Sequence, residues 1–369
     1  MVRNVGLDFT RSIAILMVLI CHGLSFFFMN HNVIGYVYVF GYLGVELFFV
    51  LSGFLIGSIM LKDIYHKPKW KNLYEFCAKR WFRTFPAYFV MVIILYFVQK
   101  DNFNMQTLFF LQNFRAEHLD FFAVSWSLSI EEWFYVLFSI FFLFLAKIRN
   151  SSKKSFILVV VLLLILLSVS RVYYVINYSP LWDFGVRKQI PLRFDSMLVG
   201  VLLASIKLYY NKIYEYIPKN RFYLIANLLI LFFFGVLYVY NGIVHDTINS
   251  SFYGRTFLFV IVSISCAILL VYFEKCKIND LSQGVVKKLI TFLSKTSYSV
   301  YLVHFPIFMF IAGKYQSNPS ILSSLFLMLL SLVVTYAIAI TIFLFIETPF
   351  MQMRNKLFPN HAKDGVGRY

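Results

Sequence analysis

The chain alternates long apolar runs with short polar stretches, most of them basic. An apolar run of about 20 residues can cross the roughly 30 Å hydrocarbon core of a bilayer as a helix. Ten segments fit this pattern, at residues 9–29, 36–61, 83–99, 124–146, 156–177, 192–210, 222–240, 253–273, 297–313 and 321–346. The pattern predicts an all-α, polytopic membrane helical bundle of about ten transmembrane helices.

The composition excludes a soluble globular domain. The 369-residue chain is 60% hydrophobic and 14% charged, and its mean hydropathy is +0.74, whereas soluble domains are roughly 45–50% apolar and about 25% charged. The first segment does not resemble a cleaved signal peptide, because Asp8 and Arg11 stand at its start and no small-residue cleavage site follows. Since the segments occupy most of the chain, any chemistry must take place among the helices.

The net charge of +17 would indicate a nucleic-acid partner in a soluble protein. In this chain the positions of the basic residues explain the positive net charge. With the N-terminus inside, 24 of the 34 Lys and Arg fall in the predicted inner segments, five fall in the outer loops, and five lie in or at the ends of spans. Because basic loops stay cytoplasmic, we predict an even number of spans with both termini in the cytoplasm, next to membrane lipid and without nucleic acid.

Ionisable residues at membrane depth are costly and usually functional. Arg11 and His22 are eleven residues apart, which places them about 20° from alignment and about 16 Å apart along one helix. They should share a face, with Arg11 near the cytoplasmic end. This suits an anion held by Arg11 and a proton acceptor at His22. The alternative is a topology-determining arginine beside a helix-packing histidine.

Two further polar surfaces follow from helical spacing. Ser127, Glu131 and Tyr135 lie one turn apart, so Glu131 is expected to orient His22, to bind an acceptor or to join a structural hydrogen-bond network. Tyr301 and His304 are expected to line a second polar surface or to pack. We identify no metal site in the sequence.

Arg193 and Asp195 lie near the outer end of the predicted sixth span. Two residues apart on a helix, they should point to different faces, so we expect each to have a separate partner. They would then face an acceptor molecule or serve as structural polar groups.

Seven motifs, in order along nearly the whole chain, resemble those of the acyltransferase-3 family of integral-membrane O-acyltransferases. Glu46 stands where an aspartate is commoner in that family. The motifs are LDFTRSIAILMVLICHG with Arg11 and His22, GYLGVELFFVLSGFLIG with Glu46, KRWFRTFPAYF with Arg80 and Arg83, WSLSIEEWFY with Ser127 and Glu131, PLRFDSMLVG with Arg193 and Asp195, SYSVYLVHFPI with Tyr301 and His304, and IETP.

The resemblance implies a single acyltransferase-3 domain at residues 1–350 and a short cytoplasmic tail at 351–369, without the extracytoplasmic hydrolase-like domain of some relatives. It implies acyl transfer, usually of acetyl, from cytoplasmic acetyl-CoA to a hydroxyl of a carbohydrate or lipid-linked glycan at a bacterial inner membrane. It also implies that His22 is central to catalysis and that Arg11, Arg80 and Arg83 bind or position the coenzyme. From their positions in the predicted spans, we further expect Glu131 to be catalytic, Tyr301 and His304 to bind the coenzyme, and Ser127, Arg193 and Asp195 to bind the acceptor.

The residue chemistry suits these roles. Histidine, with an ordinary pKa near 6.5, can take the proton of an attacking sugar hydroxyl, which typically contributes about 10² to 10⁴ in rate. His22 could equally carry the acyl group as a transient intermediate. Guanidinium groups bind phosphates as forks, so Arg80 and Arg83 suit coenzyme A. The rival interpretations are a transporter or flippase, with the intramembrane Arg, Glu and His as its path, and a non-catalytic subunit.

Overall fold

The computed structural model describes residues 4–28, 34–114, 119–149, 152–275, 284–314 and 320–359. Regular structure in these ranges is helical, without strands, which confirms the all-α class. The helices are α1 (Val5–Phe27), α2 (Ile34–Ile59), α3 (Trp70–Val98), α4 (Trp126–Arg149), α5 (Lys153–Tyr178), α6 (Asp195–Tyr209), α7 (Asn211–Tyr216), α8 (Arg221–Ile230), α9 (Tyr238–Val244), α10 (Phe252–Arg255), α11 (Leu258–Lys275), α12 (Val285–Gly313), α13 (Ile321–Ile342) and α14 (Thr348–Leu357).

Single-turn irregularities extend or join these helices. π-Helical turns continue α2, precede α6, link α8 to α9 and link α13 to α14, at Met60–Tyr65, Trp182–Arg187, Leu231–Leu237 and Phe343–Glu347. 3-10 turns occupy Lys100–Asn102, Met105–Phe109, Ala123–Ser125, Ile190–Leu192 and Ile217–Lys219. The predicted tail, 351–369, begins inside α14, and its residues 360–369 lie outside the described residues.

Nine helical segments in the described ranges are long and apolar enough to cross a membrane. They match nine of the ten predicted spans, and the protein is an integral, multi-pass membrane protein. The predicted sixth span is not among them. Its helix, α6, has only 15 residues, about 22 Å of helix, and ten of these residues are buried. The even number of spans and the cytoplasmic location of both termini stay predictions.

The centre of the bundle consists of α1, α2, α6 and α12. Helix α1 packs against α2 and α12, while α6 packs against α2, α5 and α11. Close approach of α2 and α6 requires glycine: a Cβ on Gly53 would lie 2.0 Å from the Met197 carbonyl oxygen, and one on Gly200 would lie 2.3 Å from that of Val50. Such small-residue contacts are typical of membrane helices. Helices α5, α8 and α13 carry many exposed leucines and phenylalanines, as expected next to lipid.

Local sequence explains the helix that carries the candidate site. The Asn4 side chain accepts hydrogen bonds from the Gly6 and Leu7 amides, at 2.9 and 3.2 Å, and so caps α1. From there α1 continues without a break to Phe27. Arg11 and His22 are therefore held on one helix in the relation that the spacing predicts.

Candidate functional site

Two histidines, 282 positions apart in the chain, meet inside the bundle. The Nδ1 atom of His22 on α1 lies 2.8 Å from the Nε2 atom of His304 on α12. Their rings stack, with centroids 5.0 Å apart and 29° between the ring planes. His304 is fully buried, whereas His22 keeps partial exposure. The contact joins α1 to α12 through two of the predicted site residues.

The partners of His304 determine which nitrogen of His22 is free. His304 Nδ1 lies 3.1 Å from the Val300 carbonyl oxygen, which can only accept, so this Nδ1 carries a proton. With both rings neutral, His304 Nε2 accepts and His22 Nδ1 donates, a proton placement assigned from the hydrogen-bond partners. The lone pair of His22 is then on Nε2. A general base or nucleophile needs such a nitrogen.

Tyr301 and Ser127 support the histidine pair from the neighbouring helices. The Tyr301 hydroxyl donates to the Val124 carbonyl at 2.9 Å and lies 2.6 Å from the Ser127 hydroxyl. Its ring is 5.6 Å from that of His304. The start of α4 is thus joined to α12 one turn before His304. Three predicted site residues, Ser127, Tyr301 and His304, thus form one connected group with His22.

The three predicted coenzyme-binding arginines also come together. Arg11 projects from α1, and Arg80 and Arg83 from α3; all three are half-buried. The positive charges of Arg11 and Arg80 act on Arg83. Because Arg11 precedes His22 by eleven residues on one helix, this arginine cluster lies about 16 Å from His22 along the α1 axis. The spacing leaves room for an elongated molecule to contact both.

Glu131 belongs to the arginine cluster. Its carboxylate accepts a 2.5 Å hydrogen bond from the Tyr135 hydroxyl, and the Arg80 guanidinium lies 4.3 Å from the centre of the Tyr135 ring. Charges on both Glu131 and Glu132 act on Arg80. No hydrogen bond joins Glu131 to His22 among the described residues, so its contacts do not support the expected orientation of His22.

The donors of the cluster fit an anionic group. The buried Nε of Arg80 has no hydrogen-bond partner within the described protein, and guanidinium groups bind phosphate through paired N–H donors. Glu347 adds a negative charge near Arg83. Its carboxylate accepts a hydrogen bond from Ser299, and its charge acts on Arg83. The sequence does not reveal this contact of Glu347 with α12, because it depends on tertiary packing.

Arg193 and Asp195 lie in a buried ion-pair network. Arg193 pairs with Glu46, and its Nε lies 3.4 Å from Asp195 Oδ1. Arg171 Nη2 lies 2.5 Å from Asp195 Oδ2, and all four side chains are at most 1% exposed. Each residue thus has the separate partner that we expected, Glu46 for Arg193 and Arg171 for Asp195. They also contact each other, because α6 begins at Asp195 and Arg193 precedes the helix. Their internal partners support a structural role and give no support to acceptor binding.

Arg171 is a residue that the sequence reasoning missed. It stands within the apolar run of α5, and an arginine in such a run is costly unless paired. The cost of an unpaired arginine in an apolar run was the feature of the sequence that could have identified Arg171. Besides Asp195, its guanidinium donates to the carbonyls of Thr256 and Leu192, both at 2.8 Å, so it ties α5 to the segments preceding α6 and α11.

A charged loop lies near His22 outside the membrane-spanning segments. Asp183 accepts from Arg187 at 2.5 Å and pairs with Lys188 at 2.6 Å. Burial alone would raise the pKa of Asp183, but the two cations outweigh it and hold that pKa below its ordinary value. The charges of Lys188 and Arg187 also act on His22. Among the described residues, no group of three or more His, Cys, Asp or Glu is placed to hold a metal ion.

Comparisons with known proteins identify the family to which the chain is similar. A family model described as an acyltransferase domain, that of the acyltransferase-3 family, matches residues 4–342. A Staphylococcus aureus (strain COL) protein provisionally named as an O-acetyltransferase is 27% identical over 94% of this chain and 57% of its own length. The O-acetyltransferase OatA of Staphylococcus aureus (strain NCTC 8325) is 26% identical over 96% of this chain and 58% of its own.

The chain thus spans less than three fifths of the length of these relatives. No solved structure is significantly similar to it. The match to the family model covers more than nine tenths of the chain, including all the motifs that carry the histidine pair and the arginine cluster. The chain therefore belongs to the acyltransferase-3 family.

Proposed function

We propose that this protein is a membrane O-acetyltransferase of a bacterial plasma membrane. It transfers an acetyl group from cytoplasmic acetyl-CoA to a hydroxyl of a carbohydrate or glycolipid. The names of its relatives support O-acetyl transfer, and the charge distribution along the chain supports entry of the donor from the side of the arginine cluster.

One observation carries the proposal: His304 holds His22 by Nδ1 and so leaves Nε2 as the free basic nitrogen. In direct transfer, His22 Nε2 takes the proton of the acceptor hydroxyl while the oxygen attacks the thioester carbonyl. The carbon–sulfur bond breaks, and the thiolate of coenzyme A leaves with that proton. An ester and free coenzyme A result.

The alternative chemistry uses the same atom. His22 Nε2 attacks the thioester carbonyl, the carbon–sulfur bond breaks, and coenzyme A leaves as the thiolate. The acetyl-imidazolium, which keeps its Nδ1 proton, then passes the acetyl group to the acceptor hydroxyl, whose proton goes to the thiolate, so that neutral His22 is regenerated. Both routes need the Nδ1 proton held by His304. Acid quenching and mass spectrometry of protein mixed with acetyl-CoA alone would separate them, because only the second route gives a protein heavier by one acetyl group at His22.

The arginine cluster is expected to hold the phosphates of the coenzyme. Arg11, Arg80 and Arg83 would supply guanidinium forks at the cytoplasmic end of the bundle, and the pantetheine arm would extend towards His22. The acceptor would then arrive from the opposite membrane face. Sealed vesicles of known orientation test this route, since acetylated product on the coenzyme side only would reject it.

The acceptor and the activity can be tested together in cells. Mass spectrometry of surface glycans is compared between cells lacking this protein and cells expressing wild type, His22→Ala or His245→Ala. His245 is an exposed loop histidine and serves as the matched control. We expect O-acetyl esters with wild type and His245→Ala only. Equal acetylation by His22→Ala, or glycan export without acetylation, would reject the proposal, and the second result would favour a transporter.

A further inference from the structure

A polar cavity lies in the loop between α3 and α4. Its volume is about 450 Å³, within the usual range for small-ligand sites, and it is lined by amide, hydroxyl, carboxylate and phenylalanine side chains. Because neighbouring spans alternate in direction, this loop is on the same side of the bundle as the C-terminal, His22-bearing end of α1. We infer that the cavity is a binding subsite for an uncharged, hydroxyl-rich segment of the acceptor, a neutral oligosaccharide. The inference rests on the proposed function.

Two buried polar atoms in the wall of the cavity lack partners. Thr107 is fully buried and Gln112 is 4% exposed, and neither Thr107 Oγ1 nor Gln112 Oε1 has a hydrogen-bond partner within the described protein. Unpaired buried polar groups are costly and uncommon. A sugar hydroxyl can satisfy both, since it donates one hydrogen bond and accepts others.

The orientation of the Gln112 amide follows from its neighbours. The Ser129 hydroxyl donates to the Ser125 carbonyl at 3.2 Å, so its oxygen is left to accept from Gln112 Nε2 at 2.6 Å. The same Nε2 lies 2.9 Å from the Ser125 hydroxyl. Both donors of the amide are thereby used inside the protein, and Oε1 is left as a buried acceptor without a partner in the described protein.

The described lining residues are mostly uncharged. Asp120 is the one charged residue among the described residues that line the cavity, and no described lining residue is basic. Phosphate and carboxylate ligands normally recruit arginine or lysine. The amides of Asn102, Asn104 and Gln106 offer paired donors and acceptors, and Phe121 offers an apolar face. This combination suits a neutral sugar.

The wall of the cavity is fixed by strained backbone and stacked rings. Phe110 and Phe122 adopt left-handed conformations, with φ of 56° and 49°, which is unfavourable for side chains of this size. Their rings stack on Tyr88 with centroids 4.3 and 5.6 Å away. Tyr88 also donates to the Thr107 carbonyl at 2.8 Å. These contacts hold the described parts of the loop near Thr107, Phe110 and Phe122 against α3.

The cavity and the histidine pair share a support. Gln112 bonds Ser125 in the turn that opens α4, and the preceding residue, Val124, accepts the hydrogen bond of Tyr301 beside His304. A glycan held by this loop would thus be positioned relative to the turn that also braces the catalytic histidines.

The test measures binding separately from acyl transfer. The purified protein in detergent micelles is titrated with cellotetraose, maltotetraose and chitotetraose, and with tetragalacturonate as an anionic probe, by saturation-transfer difference NMR. We expect at least one neutral probe to bind and the anionic probe not to bind. His22→Ala should bind the same probe as wild type while losing transfer.

Thr107→Val removes the unpartnered hydroxyl with little change in shape, and Thr335→Val makes the same change at another fully buried, unpartnered threonine, on α13. We expect Thr107→Val to weaken binding of the neutral probe about three- to tenfold and Thr335→Val to leave it unchanged. Thermal unfolding confirms that both variants fold. Absence of binding by every neutral probe, or equal affinities in the two variants, would overturn the subsite even if acetyl transfer by His22 is demonstrated. Sugar binding without acetyl transfer would reject the proposed function instead.

Discussion

His304 accepts a hydrogen bond from His22, with 2.8 Å between its Nε2 and the Nδ1 of His22. The second ring nitrogen of His304 is committed to the Val300 carbonyl at 3.1 Å. A histidine held in this way presents one defined tautomer, and correct tautomers are decisive for histidine catalysis. The relationship makes His304 a positioning residue for His22.

His304→Ala should lower kcat by about 10², in line with the usual contribution of general base catalysis, and leave KM for acetyl-CoA within about twofold. His304→Gln should restore part of kcat, because a glutamine amide oxygen can accept the Nδ1 proton of His22. Steady-state kinetics of the three proteins measure this. A rise in KM at unchanged kcat would contradict it and support the coenzyme-path role expected from the sequence.

Arg83→Ala should raise KM for acetyl-CoA about ten- to a hundredfold, since a hydrogen bond to a charged group is worth about 1.5–3 kcal/mol. Lys79→Ala is the matched control, because Lys79 makes only a partly exposed ion pair with Glu75 at 3.5 Å. Kinetics with acetyl-CoA and with 3′-dephospho-acetyl-CoA test the cause. If Arg83 holds a phosphate, Arg83→Ala must raise KM for at least one of these two donors. Equal KM values in Arg83→Ala and Lys79→Ala would exclude that role.

Glu46→Gln should destabilise the folded protein by about 3–5 kcal/mol, because it leaves one positive charge unbalanced in a network of two arginines and two carboxylates. Glu75→Gln makes the same change in the partly exposed pair with Lys79 and should cost less than about 1 kcal/mol. Denaturant unfolding in detergent compares them. Equal losses of unfolding free energy in Glu46→Gln and Glu75→Gln would contradict the structural role assigned to Arg193 and Asp195.

The ion pairs of Asp183 make stability depend on acidity. Its folded-state pKa is held below the ordinary 3.8, so its contribution is complete above that value and is lost as the pH falls through the lower, folded-state pKa. The difference in Tm between wild type and Asp183→Asn should therefore be constant near neutrality and shrink below about pH 4. Asp101→Asn, at an exposed loop position, should show no such difference. A Tm difference between wild type and Asp183→Asn that grows as the pH falls would contradict the lowered pKa of Asp183.

The long helices and the relation of Arg11 to His22 could be predicted because both depend on local periodicity within one chain segment. The partner of His22 could not, since His304 lies on another helix and apolar periodicity does not specify which helices become neighbours. Helical spacing predicted separate partners for Arg193 and Asp195 but not their mutual contact, because the helix begins at Asp195 and Arg193 precedes it. The 15-residue length of α6 was not predicted either, because the apolar run at 192–210 does not show where within it a helix begins.

The role of Glu131 shows the same limit. Its position one turn from Ser127 and Tyr135 was evident from the sequence, and the Tyr135 contact was found at 2.5 Å. Helix α4, however, presents Ser127 to Tyr301 beside the histidine pair and Glu131 to the arginine cluster. One polar stripe thus serves two regions at different depths, a division that only the packing against α3 and α12 reveals.

Release of coenzyme A by the purified protein tests the central claim most directly. Acetyl-CoA is mixed with wild type, His22→Ala or His245→Ala and with glycan extracted from the producing cells, and free thiol and acetylated glycan are measured together. The account predicts equal amounts of thiol and glycan ester with wild type and His245→Ala, and at least a hundredfold slower formation of both with His22→Ala. Wild-type rates in His22→Ala would contradict it.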